Sequence, residues 1–167
     1  MPTPTYNCIA TTTLSSAQSS VTFSSIPGTY TDLVVVIQAF WTTVPSNMYI
    51  YMQLNSDTGS NYSTTILSGD GSSALSTRFS NRTNMNMDYA ATLVDEEPTQ
   101  RNINIMNYSN TTTYKTAIWR SNRAGAGTDA MVGMWRSTAA ITTILFDLEA
   151  GDYASGSTFS LYGIKAE

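Results

Sequence analysis

Met48–Asn55 reads MYIYMQLN and Asn102–Tyr108 reads NINIMNY. Both alternate with a period of two, the spacing that places successive side chains on opposite faces of a β-strand. In the first, Met48, Ile50, Met52 and Leu54 share one face, and Tyr49, Tyr51 and Gln53 share the other. Similar short runs recur along the chain with turn residues between them. The remaining strand expectations are Tyr6–Thr13, Ser19–Phe23, Asp32–Trp41, Tyr62–Leu67, Ser76–Phe79, Met85–Tyr89, Thr113–Arg123, Ala130–Trp135, Ile141–Leu148 and Thr158–Ile164. Asp32–Trp41 contains LVVVIQAF, the most β-branched run, and reads as a central buried strand. SGDGSS, at Ser68–Ser73, is a tight turn of the kind glycine permits. No stretch supports a long helix; Ala139-Ala140 has room for one helical turn. Short strands at this spacing predict an all-β chain, an antiparallel two-sheet β-sandwich of jelly-roll type. Val34, Val36, Ile50, Met52, Ile144, Phe146, Phe159 and Leu161 are the expected core.

With 167 residues, the chain is expected to form one domain with a short arm over residues 1–5, large enough to bury a core without disulfide or metal. Charged residues make up 12% of it, about half the usual ~25%, so hydroxyls and amides must solvate the surface. The net charge is −4. Arg78, Arg82, Arg101, Arg120, Arg123 and Arg136 are scattered and read as isolated surface charges. That leaves nucleic-acid binding without its electrostatic basis.

The chain has no histidine and one cysteine. Histidine is the usual proton-transfer side chain at neutral pH, and zinc and redox sites draw on histidine or cysteine. Neither an enzyme nor a cofactor is expected. A Ser-Lys hydrolase needs a motif that Lys115 and Lys165 do not sit in. A glycosidase needs two carboxylates across a cleft, and Asp32, Asp88, Asp147, Glu149 and Asp152 near strand ends are not paired by sequence. Cys8 is expected to be a small apolar residue within the first strand.

Asp95, Glu96 and Glu97 form the one acidic cluster and read as an exposed loop, with calcium binding the sharper alternative. Asp57-Thr58-Gly59-Ser60-Asn61 offers oxygen ligands at alternate positions but lacks the closing acidic residues, and reads as a turn. Gly125-Ala126-Gly127 has no Lys-Ser or Lys-Thr after it and reads as a turn rather than a phosphate loop. The N-terminus has no basic region before an apolar stretch, so no secretory leader is expected. Without one, the glycosylation sequons at Asn61, Asn81, Asn107 and Asn110 read as chance. Leu33–Ile37, the longest apolar run, is too short to span a bilayer.

Trp41, Trp119 and Trp135 and ten tyrosines suit a core, a subunit interface or a sugar site. Tyr49, Tyr51, Trp41, Trp119 and Trp135 are the candidate interface residues.

VTFSSIPGTYTDLVVV (Val21–Val36), LNSDTGSNYS (Leu54–Ser63), MWRSTAAIT (Met134–Thr142) and GSTFSLYGI (Gly156–Ile164) resemble, in matching order, small β-rich virion proteins of tailed bacteriophages, common in aquatic and cyanobacterial phages. The resemblance implies a structural protein of the particle with a jelly-roll-like fold and no catalytic motif. The expected role is a capsid decoration or cement protein on the outside of the head. Its partners would be the major capsid protein and itself, as a homo-oligomer of trimer type, with no nucleic acid or membrane. The first strand signal begins near Tyr6, so no attachment segment of the kind tail fibres carry is expected. The alternative is a receptor-binding tip of a tail appendage that recognises host surface glycan, with a glycan-cleaving enzyme third.

Overall fold

The structure, a computed structural model, describes residues 5–42, 48–89 and 98–165. Among these are fourteen strands and no helix. They are β1 (Tyr6–Thr13), β2 (Ser20–Phe23), β3 (Asp32–Ala39), β4 (Trp41–Thr42), β5 (Ile50–Leu54), β6 (Tyr62–Gly69) and β7 (Ala74–Arg82). The second half adds β8 (Met85–Asn86), β9 (Thr99–Met106), β10 (Lys115–Arg123), β11 (Gly127–Trp135), β12 (Ile144–Leu148), β13 (Asp152–Tyr153) and β14 (Thr158–Ile164). The large sheet has eight strands in the order β1-β14-β3-β9-β10-β11-β6-β7, and the small sheet four, β2-β12-β5-β8. A two-stranded β13-β4 ribbon completes the set. Every pairing is antiparallel. The chain is an all-β sandwich, with its first and last strands paired and its early strands passing back and forth between the sheets.

The core lies between the two sheets. Ile50, Met52 and Leu54 of β5 and Ile144, Phe146 and Leu148 of β12 face Phe159 and Leu161 of β14 and Ile103 and Ile105 of β9 in one buried cluster. The rings of Phe146 and Phe159 join the sheets at 6.2 Å between centroids. Tyr153 meets Phe159 edge-on at 5.0 Å.

Two expected core residues are misplaced. Leu33, Val35, Ile37 and Ala39 point inward on β3, while Val34 and Val36 lie half-buried on the outer face. A continuous apolar run carries no period, so its phase is set by its neighbours. Leu33 and Val35 stand in register with Ile105 and Ile103, and Val34 and Val36 with Asn104 and Asn102. Cys8 sits in β1 as expected but is exposed, not packed. Ala139-Ala140 makes a bend without a helical turn. The SGDGSS turn closes the β6–β7 hairpin: Gly71 has φ +85°, and Asp70 Oδ1 accepts from the Ser72 and Ser73 amides at 2.8 and 2.6 Å.

Candidate functional site

The sandwich leaves two outer faces, and they differ in shape and chemistry. On the small sheet, Tyr49 just before β5 and Tyr51 and Gln53 on it are turned outward because their alternate partners fill the core. Asn86 of β8 stands opposite Tyr51, and Glu149 follows β12 with its amide bonded to the Tyr49 carbonyl at 3.1 Å. Phe79 and Arg82 of β7 rise beside them. Together with Thr83 and Asn84 these residues line a groove of about 420 Å³. The Arg82 guanidinium lies 5.2 Å from the Phe79 ring centroid. Gln53 Nε2 donates to the Thr83 carbonyl at 3.1 Å, which ties the groove's far end to β5.

Partial burial raises both phenols above the ordinary tyrosine value, and the Glu149 carboxylate adds to the effect. Asp147 occupies the same sheet face two residues earlier but lies outside the groove lining.

The large sheet's outer face is open. Asn104, Ile118, Val132, Thr65 and Arg78 form one row across five strands. Asn102, Arg120, Ala130, Leu67 and Ser76 form the next. Leu67 is 62% exposed, Ile118 47%, Val132 42% and Met106 39%. The outward positions of β9, β10, β11 and β6 carry no carboxylate.

Of the five candidate interface residues, only Tyr49 and Tyr51 reach solvent. Trp41, Trp119 and Trp135 are buried, which corrects their assignment to a subunit surface. Each is held from inside. Trp119 Nε1 donates to the Met87 carbonyl at 3.2 Å. Trp135 Nε1 donates to Asp57 Oδ2 at 2.6 Å while its ring stacks on Tyr62 at 6.3 Å. Trp41 covers the Arg101 guanidinium at 5.9 Å. Tyr49 and Tyr51, for their part, line a concave groove rather than a flat patch.

Arg101 is a second correction, since it is fully buried rather than a surface charge. Its Nε and Nη2 donate to Asp88 Oδ1, and Nη1 donates to Thr99 Oγ1. Asp88 Oδ1 also accepts from Ser121 Oγ at 2.7 Å, and Oδ2 from the Ile50 amide at 2.9 Å. Burial pushes the Asp88 carboxyl up, and the guanidinium and these donors draw it back. With every strong group engaged inside the sandwich, this cluster serves as a brace between sheets.

The remaining motifs resolve into turns. Asp57 accepts from the Gly59 amide and from Asn61 Nδ2, so its oxygens are committed to the turn and to Trp135. Its carboxyl is lowered, chiefly by the Trp135 hydrogen bond. Gly125 and Ala126 lie in the β10–β11 turn, and Gly127 opens β11. Lys115 is buried, and its Nζ donates to the Thr113 and Thr138 carbonyls. Asp95, Glu96 and Glu97 lie outside the described residues. Among the described residues there is no cluster of three or more metal-ligating side chains.

No family model matches the chain, and no curated protein does. Among solved structures, galectin LEC-6 of Caenorhabditis elegans is similar at 12% identity and a TM-score of 0.36, over 93% of this chain and 96% of that one. Sheep galectin-11 in complex with glycerol is similar at 7% identity and 0.33, over 96% and 98%. A mutant of alginate lyase Aly36B in complex with alginate tetrasaccharide is similar at 9% and 0.36, over 94% and 80%. The sandwich itself rests on the strand pairings described above.

Proposed function

We propose that the protein is a structural component of a phage particle, a decoration or cement protein that binds the outside of the head lattice. The observation that carries this reading is the outer face of the large sheet. Leu67, Ile118, Val132 and Met106 are exposed on it, among amides, hydroxyls and the exposed guanidinium groups of Arg78 and Arg120. Contiguous exposed apolar surface of this kind suits a protein partner better than water. The apolar, amide and hydroxyl contacts of this face are little screened by salt, unlike ion pairs. A protein with affinity only for the assembled lattice stabilises that lattice by mass action. The quoted virion-protein phrases support the same reading. The partner is the major capsid protein, and the protein acts as a homo-oligomer, expected to be a trimer.

The test uses particles that lack the protein. Purified wild-type protein should co-sediment with them and raise the temperature at which they rupture. Ile118→Lys and Val132→Lys, both at exposed sites, should keep the fold and lose both effects. Light scattering of the free protein should report a trimer. Protein that ignores empty heads yet binds host cells would overturn the reading in favour of an adhesin tip. The groove on the small sheet is the observation that favours that second reading.

A further inference from the structure

We infer that the groove between β5, β8 and β7 is a binding site for a neutral pyranose unit of a glycan. Its volume of about 420 Å³ falls within the ~300–1,000 Å³ usual for small-molecule sites. Among the described residues its lining combines three aromatic rings, Tyr49, Tyr51 and Phe79, with the carboxamides of Asn84 and Asn86, the Arg82 guanidinium and the Glu149 carboxylate.

That mixture selects by chemistry. A pyranose presents hydroxyls that each donate and accept, over a ring whose C–H face is apolar. Carboxamides and phenols likewise donate and accept, Arg82 donates only and Glu149 accepts only. Aromatic rings supply the apolar contact and a polar handle together. Phosphates and nucleotides call for convergent cations or backbone amides, whereas among the described lining residues Arg82 is the one cation and Glu149 offsets it. An apolar ligand would leave the groove's polar groups desolvated.

The arrangement is also set in advance. Tyr49 directly precedes β5 and Tyr51 lies on it, and both line the groove. Gln53 Nε2 holds the Thr83 carbonyl and Arg82 rests beside Phe79. Both phenols are raised, so they remain protonated hydrogen-bond donors through the physiological pH range.

The site opens between the small sheet and β7, the edge strand of the large sheet. It shares no lining residue with the Leu67, Ile118, Val132 and Met106 patch and stands independently of the cement reading. Titration of ¹⁵N-labelled protein with methyl glucopyranoside, galactopyranoside and mannopyranoside and with N-acetylglucosamine tests it. At least one should shift the amides of Tyr49–Gln53, Asn84–Asn86 and Glu149 saturably, with a Kd of about 1–10 mM. Arg82→Ala and Tyr51→Ala should weaken that binding about tenfold or more, while both variants keep the wild-type amide spectrum away from the groove. Arg82→Ala should still co-sediment with heads as wild type does. Absence of saturable shifts from every neutral sugar would overturn the inference. So would shifts from glucuronate or inorganic phosphate alone, undiminished sugar binding in both variants, or loss of head binding in Arg82→Ala.

Discussion

Arg101 reaches from β9 to Asp88 with neither side chain exposed to solvent. The carboxylate also accepts from Ser121 of β10 and from the Ile50 amide of β5, so one ion pair links both sheets. Removing one partner strands the other charge in the interior. Asp88→Ala should therefore cost about 3–5 kcal/mol, read by urea unfolding. The double variant Asp88→Leu/Arg101→Met removes both charges and should recover much of that loss. A double variant no more stable than the single one would mean that the surrounding polar groups, rather than the stranded charge, set the cost.

Gly133 of β11 marks where the large sheet makes room for Trp119. A Cβ at this position would lie 2.7 Å from the indole and 2.5 Å from Met85 Sδ. Methionine can yield, but the indole is wedged, with its Nε1 bonded to the Met87 carbonyl. Gly133→Ala should cost about 1–3 kcal/mol through overpacking, with a change in tryptophan fluorescence as the ring shifts. Unchanged stability and emission would show that Trp119 has space that its hydrogen bond conceals.

Much of the sandwich is legible where the text alternates. The faces of Met48–Leu54 follow directly from period two, and Ile103 and Ile105 point inward between outward asparagines. The phase of β3 is not legible, because Leu33–Ile37 is apolar throughout and its partner is distant in sequence. The β4–β13 ribbon carries too few residues to show a period. Of the groove, Tyr49 and Tyr51 are readable as a shared face. Glu149 joins them through the β5–β12 pairing, and Phe79 and Arg82 from the edge strand of the other sheet, and no local spacing announces either. The tryptophans mislead for a physical reason: large amphipathic rings suit core and interface alike.

Phe159 packs against Phe146 and Tyr153 at the centre of the core. Its replacement by alanine should cost about 3–5 kcal/mol, the range for a large cavity that neighbouring residues only partly refill. Such a loss is a large share of a typical ~5–15 kcal/mol total, so the melting temperature should fall by many degrees. A loss under about 0.5 kcal/mol, the scale of surface substitutions, would place this ring outside the core.

Tyr62 stacks on Trp135, and its hydroxyl is set against the β5 end of the turn. The hydroxyl accepts from the Leu54 amide at 3.1 Å and donates toward the Leu54 and Asp57 carbonyls at 3.0 and 3.1 Å. Tyr62→Phe leaves that amide without its partner and should cost about 1–3 kcal/mol near neutral pH. The hydroxyl's pKa is raised from 10.0 to about 12, chiefly by burial. Above pH 10 the unfolded chain therefore loses this proton while the folded chain keeps it. The folded state then binds more protons, so stability falls as pH rises through this window. The contribution is fully present below pH 10 and is lost toward pH 12. Phenylalanine has no such proton, so the stability gap between wild type and Tyr62→Phe should narrow from pH 10 to 12. Urea unfolding at steps across that range measures the gap. A constant gap would mean that the hydroxyl ionises equally readily in the folded and unfolded chains.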